Sequence, residues 1–296
     1  MKLFSLVTAV ILTLTLPRTA TAAEPIRAIY LFKDVLKFNT TALTTSNFTT
    51  LIIFGLGITE DGSIKYYSNT PGSVDKVVAT NGTYVGGAVL TQRVRSLKTA
   101  VNSSVSRVEI SMNSQNVRQL MNKPGASVNT PLAKNLAALR SHWDLDALSN
   151  NDGSIYDLAS TVAFAKLVGK LGYKYTILPW QNVDYWATLV RELNTEALDD
   201  NDELLDRVYL QCYDGGAGND PRSWWARLGT RVVPLVWVTN DYKPVYGSTP
   251  AQARAKFSNW KARGSVEGVE YWNDYDIEKT KPPYAAYGDA LDSVFV

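Results

Sequence analysis

The sequence predicts an α/β fold, a single (β/α)8 TIM barrel. Three observations carry this expectation: eight short apolar runs rich in Ile, Val and Tyr, helix-spaced segments between them, and no composition shift that would mark a domain boundary. The chain has 296 residues, 45% apolar and 20% charged, an ordinary globular balance. Single α/β barrels reach this length, which suffices to bury a core without disulfides or metals.

The strand-like runs are 26–32, 50–56, 105–113, 144–148, 173–178, 205–212, 231–238 and 268–272. Several are continuously apolar, as expected when both faces of a parallel strand are buried. Helices are expected at 130–141, where Pro131 takes a favoured first position, and at 156–171, where Leu158, Val162, Phe164, Ala165, Leu167 and Val168 share a face before Gly172. Further helices are expected at 185–193, 221–228, 250–263 and 284–291. The stretch 57–99 is the least regular, with turn signals at Asp61-Gly62 and Pro71-Gly72, and suits a hairpin excursion before the third strand.

Met1-Lys2, the apolar run 3–16, the break at Pro17-Arg18 and the small residues 19–23 form a signal-peptide pattern. The apolar part is too short to span a bilayer. The expected division is therefore a cleaved segment 1–23 and a secreted, extracellular barrel 24–296. Four N-glycosylation sequons, at Asn39, Asn47, Asn81 and Asn102, fit eukaryotic secretion. Cys212 is the only cysteine and reads as a small buried hydrophobe, because a thiol nucleophile needs a histidine partner and nothing places His142 nearby. Without Lys2 and Arg18, 28 basic residues face 28 acidic ones with no basic stripe, so neither nucleic acid nor an anionic membrane is an expected partner. One His and one Cys argue against zinc or copper; no metal or cofactor is expected.

In such barrels the working residues sit at the carboxyl ends of the strands. Here those ends gather Asn151 and Asp152 after the fourth strand, Trp180 and Gln181 after the fifth, Tyr213 and Asp214 on the sixth, Trp237 on the seventh and Trp272 on the eighth. Flat aromatic faces beside amide and carboxylate groups suit sugar rings, whose C–H faces stack while their hydroxyls hydrogen-bond. The turn 215–221 lacks the Lys-Ser/Thr of a phosphate loop and is expected to give the rim backbone room.

Together these features resemble the family 18 glycoside hydrolases, the chitinases and endo-β-N-acetylglucosaminidases. Tyr213-Asp214 matches that family's Tyr-Asp pair, Trp272 matches its eighth-strand tryptophan, and the resemblance runs from Ile26 to about Ile277. The stretches 154–173 and 209–221 are similar to a group of secreted microbial barrels. The family's fourth strand carries Asp, Asp, Asp and a terminal Glu. Laid on this chain, those positions fall on Asp146, Ser149, Asn151 and Gly153. In the family the Glu protonates the leaving oxygen and the Asp two residues earlier holds the substrate acetamide. Only the first carboxylate survives.

The resemblance thus implies a chitinase-like protein that binds an oligo- or polysaccharide, with N-acetylglucosamine polymers as the class the family suggests, and with its catalytic acid lost. Losing general acid–base help costs about 10²–10⁴-fold in rate, but the aromatic rim is separate from it. Two alternatives stand beside this reading. In one, an active glycosidase uses Asp152 or Asp214 as acid, with Asp146 as a further carboxylate and Glu109, Asp184 and Glu270 as more distant ones. In the other, the rim binds a protein as an inhibitor.

Overall fold

The computed structural model describes residues 24–113, 116–123, 128–151, 156–195, 204–264, 266 and 268–295. The expected signal segment 1–23 lies outside them, as do Asp152 and Gly153.

Eight parallel strands close on themselves. They are β1 (Ile26–Leu31), β2 (Thr50–Ile58), β3 (Arg107–Asn113), β4 (Ala147–Asn150), β5 (Lys174–Ile177), β6 (Leu205–Gln211), β7 (Val233–Val238) and β8 (Gly268–Trp272). Each pairs with its sequence neighbour, and β1 pairs with β8 as well as β2, through Ile26 opposite Gly268 and Ala28 opposite Thr50. All eight expected strands are present in the expected order, and the fold is a (β/α)8 barrel. Closure has a tight point at Gly268, where an added Cβ would lie 2.2 Å from the Ile26 carbonyl oxygen.

The helices follow their sequence signals. Thr130 accepts from the Ala133 N–H and Pro131 opens the helix Pro131–Trp143, while Asp157 accepts from the Ser160 N–H at the start of Leu158–Lys170. Val183–Thr195 turns Trp186, Leu189, Val190 and Leu193 inward at helical spacing. The irregular stretch is a hairpin excursion. Leu56–Ile58 on the upper end of β2 pairs antiparallel with Ile64–Tyr66, which pairs with Lys76–Thr80. Its last turn, Asn81-Gly82, has φ of 49° and 75°, the two positive values a tight hairpin turn needs.

The fourth strand is displaced from its expected span of 144–148. Asp144 adopts φ 53° as the left-handed cap of the preceding helix, its N–H returning to the Arg140 carbonyl, so the chain is still turning where a strand was expected. Pairing begins at Ala147 and runs to Asn150.

The barrel interior departs from the aliphatic norm. β3 and β6 are not neighbours, so the 2.7 Å bond from the Tyr209 hydroxyl to Glu109 Oε1 crosses the interior. Glu109 also accepts from Arg107 Nε at 2.7 Å, Arg207 Nη1 at 3.5 Å and Thr176 Oγ1 at 3.3 Å. Two guanidinium groups thus hold this fully buried carboxylate, as a buried charge requires. Glu270 has no such support: it is fully buried, and neither oxygen finds a hydrogen-bond partner among the described residues. Burial, reinforced by the charge of Glu109, pushes its carboxyl well above the usual range.

Candidate functional site

At the carboxyl end of the barrel the inward side chains of β1, β2 and β8 meet as an aromatic group. Trp272 packs edge-on against Phe54, Tyr30 and Phe32, with ring centroids at 4.8, 5.1 and 5.5 Å. Phe32 stacks on Phe54 at 5.4 Å, and Tyr275 closes the outer side. Trp272 remains half-buried. Its strand end is anchored by Asp274, whose Oδ1 accepts from the N–H groups of Phe32 (2.6 Å) and Lys33 (3.1 Å). Burial raises the Asp274 carboxyl to about 7, against the lowering effect of those two N–H groups.

A second aromatic group lies at the ends of β6 and β7. Tyr213 and Trp237 are 5.3 Å apart, and Trp237 donates from Nε1 to Asp276 Oδ2 at 2.7 Å. Burial raises Asp276, partly offset by that bond and by one from Asn273 Nδ2. Tyr213 and Trp237 are only 9% and 7% exposed, so they form wall rather than open platform. The exposed ring here is Tyr242, 6.4 Å from Trp237.

Past the end of β5, the Trp180 ring packs against the glycine-rich turn. An added Cβ on Gly215 would come within 2.5 Å of its ring, and one on Gly216 within 2.2 Å of the Gln211 carbonyl oxygen. These glycines do give the rim backbone room. Asn219 fastens the turn by donating to the carbonyls of Trp180 (2.9 Å) and Gln211 (2.8 Å). Gln181 is exposed and donates to the Tyr156 hydroxyl at 3.2 Å.

The expected carboxylates separate. Asp146 is a correction: it precedes β4, at the amino end of the barrel, opposite the mouth. There its Oδ2 accepts from the Val108 N–H at 2.8 Å and pairs with Lys98 Nζ at 3.0 Å. An inward face at the mouth would require a later position on the strand. Asp214 does reach the mouth, at φ 48°, but is ion-paired with Lys243. Asp184 is an exposed partner of Arg227 on an outer helix, and Glu109 and Glu270 are interior. Asp152 lies outside the described residues. Ser149 and Asn151 share the inward side of the fourth strand with that mouth. Ser149 is fully buried; its Oγ, with Ser111 Oγ and Tyr30 Oη, finds no hydrogen-bond partner among the described residues.

Reasoning from strand ends missed Phe32 and Phe54, which read as strand core, and Tyr242, which sits in a loop. It also missed a polar cleft of about 460 Å³ over the ends of β2 and β3, lined by Thr59, Glu60, Tyr67, Asn113 and Asn116. The Asn113 and Glu60 positions follow the same strand-end rule and could have been found by it.

No family model and no curated protein matches the sequence. Solved structures do match its shape. A family GH18 chitinase catalytic domain from the fern Peteris ryukyuensis superposes with a TM-score of 0.59 at 14% identity, covering 90% of this chain and 98% of that one. The Ostrinia furnacalis Group IV chitinase, solved in complex with allosamidin, gives 0.60 at 10% identity over 92% and 98%. The Trichuris suis immunomodulatory active chitinase gives 0.61 at 9% identity over 92% and 100%. At such identities the likeness is one of fold, and this chain has the barrel fold of the family 18 chitinases.

Proposed function

We propose that this protein is a secreted, chitinase-like carbohydrate-binding barrel that holds a saccharide at its mouth without the acid needed to cleave it. The observation that carries the reading is Trp272, half-buried at the carboxyl end of β8 and braced by edge-on contacts with Phe32, Phe54 and Tyr30. A braced indole face stacks a sugar ring with little loss of side-chain freedom, and the amides of Asn151 and Gln181 supply hydrogen bonds to hydroxyls.

Hydrolysis needs a carboxylic acid at the glycosidic oxygen and a second carboxylate or an acetamide-holding Asp beside it. Laid on the family's pattern, the chain has Ser149, Asn151 and Gly153 where the later carboxylates of that motif would fall. Asp214 is committed to Lys243, and Asp146 stands at the other end of the barrel. Glu270 lies one strand repeat below Trp272, about 7 Å down the barrel wall. N-acetylglucosamine oligomers are the first saccharides to test, given the allosamidin complex of the Ostrinia enzyme.

The test is calorimetric titration of the purified protein with a saccharide panel, repeated on Trp272→Ala. Saturable binding that weakens in the variant supports the proposal; no binding to any saccharide defeats it.

A further inference from the structure

A groove of about 630 Å³ runs between the helix Thr40–Thr44 and the segment 277–285, lined by none of the mouth's aromatic residues. Its lining includes Pro282 and Pro283 with Lys37, Glu278 and Lys281, and Asn39 is among the lining residues. Asn39 begins a sequon, Asn39-Thr40-Thr41, and is exposed. Its Oδ1 caps the helix by accepting from the Ala42 N–H at 3.1 Å, and its backbone N–H donates to Glu278. Its Nδ2 has no acceptor among the described residues. The other sequons differ. Asn47 is half-buried with Nδ2 donating to Asp289 at 3.1 Å, whereas Asn81 and Asn102 stand exposed on turns, and none of the three lines a groove described here.

We infer that Asn39 carries an N-linked glycan whose first sugars lie in this groove, bridging the β1 loop and the segment after β8. The Nδ2–C1 bond forms as C1 of a polyprenyl-diphosphate-linked oligosaccharide loses its bond to the diphosphate oxygen; Nδ2 gives up a proton and the lipid diphosphate leaves. Apolar C–H faces of the first sugars pack on Pro282 and Pro283, and their hydroxyls meet Lys37, Glu278 and Lys281. The inference depends on secretory entry and not on saccharide binding at the mouth.

The experiment uses protein secreted from a eukaryotic host. Enzymatic deglycosylation followed by peptide mass analysis should convert Asn39 to Asp. Thr41→Ala removes the sequon and keeps the Asn39 cap, so it should lower the melting temperature by about 2–4 °C. Thr83→Ala, which removes the Asn81 sequon, should leave it unchanged. In protein made in a bacterial cytosol, Thr41→Ala and wild type should melt together. An unmodified Asn39 in the secreted protein overturns the inference. So does a glycosylated Asn39 whose loss leaves melting unchanged, or an equal fall in the unglycosylated pair.

Discussion

Replacing Asp274 with Asn changes one buried atom and should change how stability depends on pH. Asp274 is fully buried at the end of β8; Oδ1 holds the N–H groups of Phe32 and Lys33, and Oδ2 finds no hydrogen-bond partner among the described residues. Burial moves the carboxyl from its ordinary 3.8 to about 7. A carboxyl raised on folding binds its proton more tightly in the native state. Its contribution is fully present below pH 3.8 and is lost as pH rises towards about 7. At 1.36 kcal/mol per pKa unit, that interval is worth about 4 kcal/mol. Asn keeps the Oδ1 acceptor and carries no charge to desolvate. Near pH 4 the variant and wild type should therefore have similar stability. By pH 8 Asp274→Asn should be the more stable, the gap widening by up to about 4 kcal/mol. Guanidinium unfolding followed by tryptophan fluorescence across this range measures the gap directly. A gap that stays constant with pH would refute the assignment of a buried, titrating carboxyl to this position.

Other outcomes follow from the same structure. Trp272→Ala should weaken saccharide binding about tenfold, the loss of one stacking partner worth about 1.4 kcal/mol, as measured by calorimetry. Asp146→Asn should leave saccharide binding unchanged and cost no more than about 1 kcal/mol in denaturant unfolding, since its Lys98 pair is partly exposed at the far end of the barrel. Glu109→Gln should cost about 3 kcal/mol by the same assay, because Arg107 and Arg207 lose the buried charge they share. Glu270→Gln should leave stability at acidic pH near wild type and raise it as pH increases, because the native carboxyl resists ionisation.

The strands and helices were legible because their signals are local. Apolar runs, Pro at first helical positions and Asp or Thr caps report on a few residues at a time, and seven of the eight expected strand spans match to within two residues at each end. The fourth failed because Asp144 takes a left-handed backbone as a helix cap, which neighbouring apolar residues do not reveal. That slip hid the fact that Asp146 sits at the wrong end of the barrel. The site was harder to read, since it depends on which strand ends face each other. Trp272 could be placed on the rim from its strand end, but its bracing by Phe32 and Phe54 joins residues about 220 to 240 positions apart in the chain, where no local pattern reaches. Tyr213 and Trp237 show the converse: their strand ends were identified, while their burial came from packing against each other and from Asp276.

The most direct measurement incubates the protein with an end-labelled N-acetylglucosamine oligomer and scores the same sample for bound and shortened chains. Retention of the oligomer at full length, in proportion to protein, is the expected result. Release of shorter chains in excess over protein, abolished by Asp152→Asn, would contradict it.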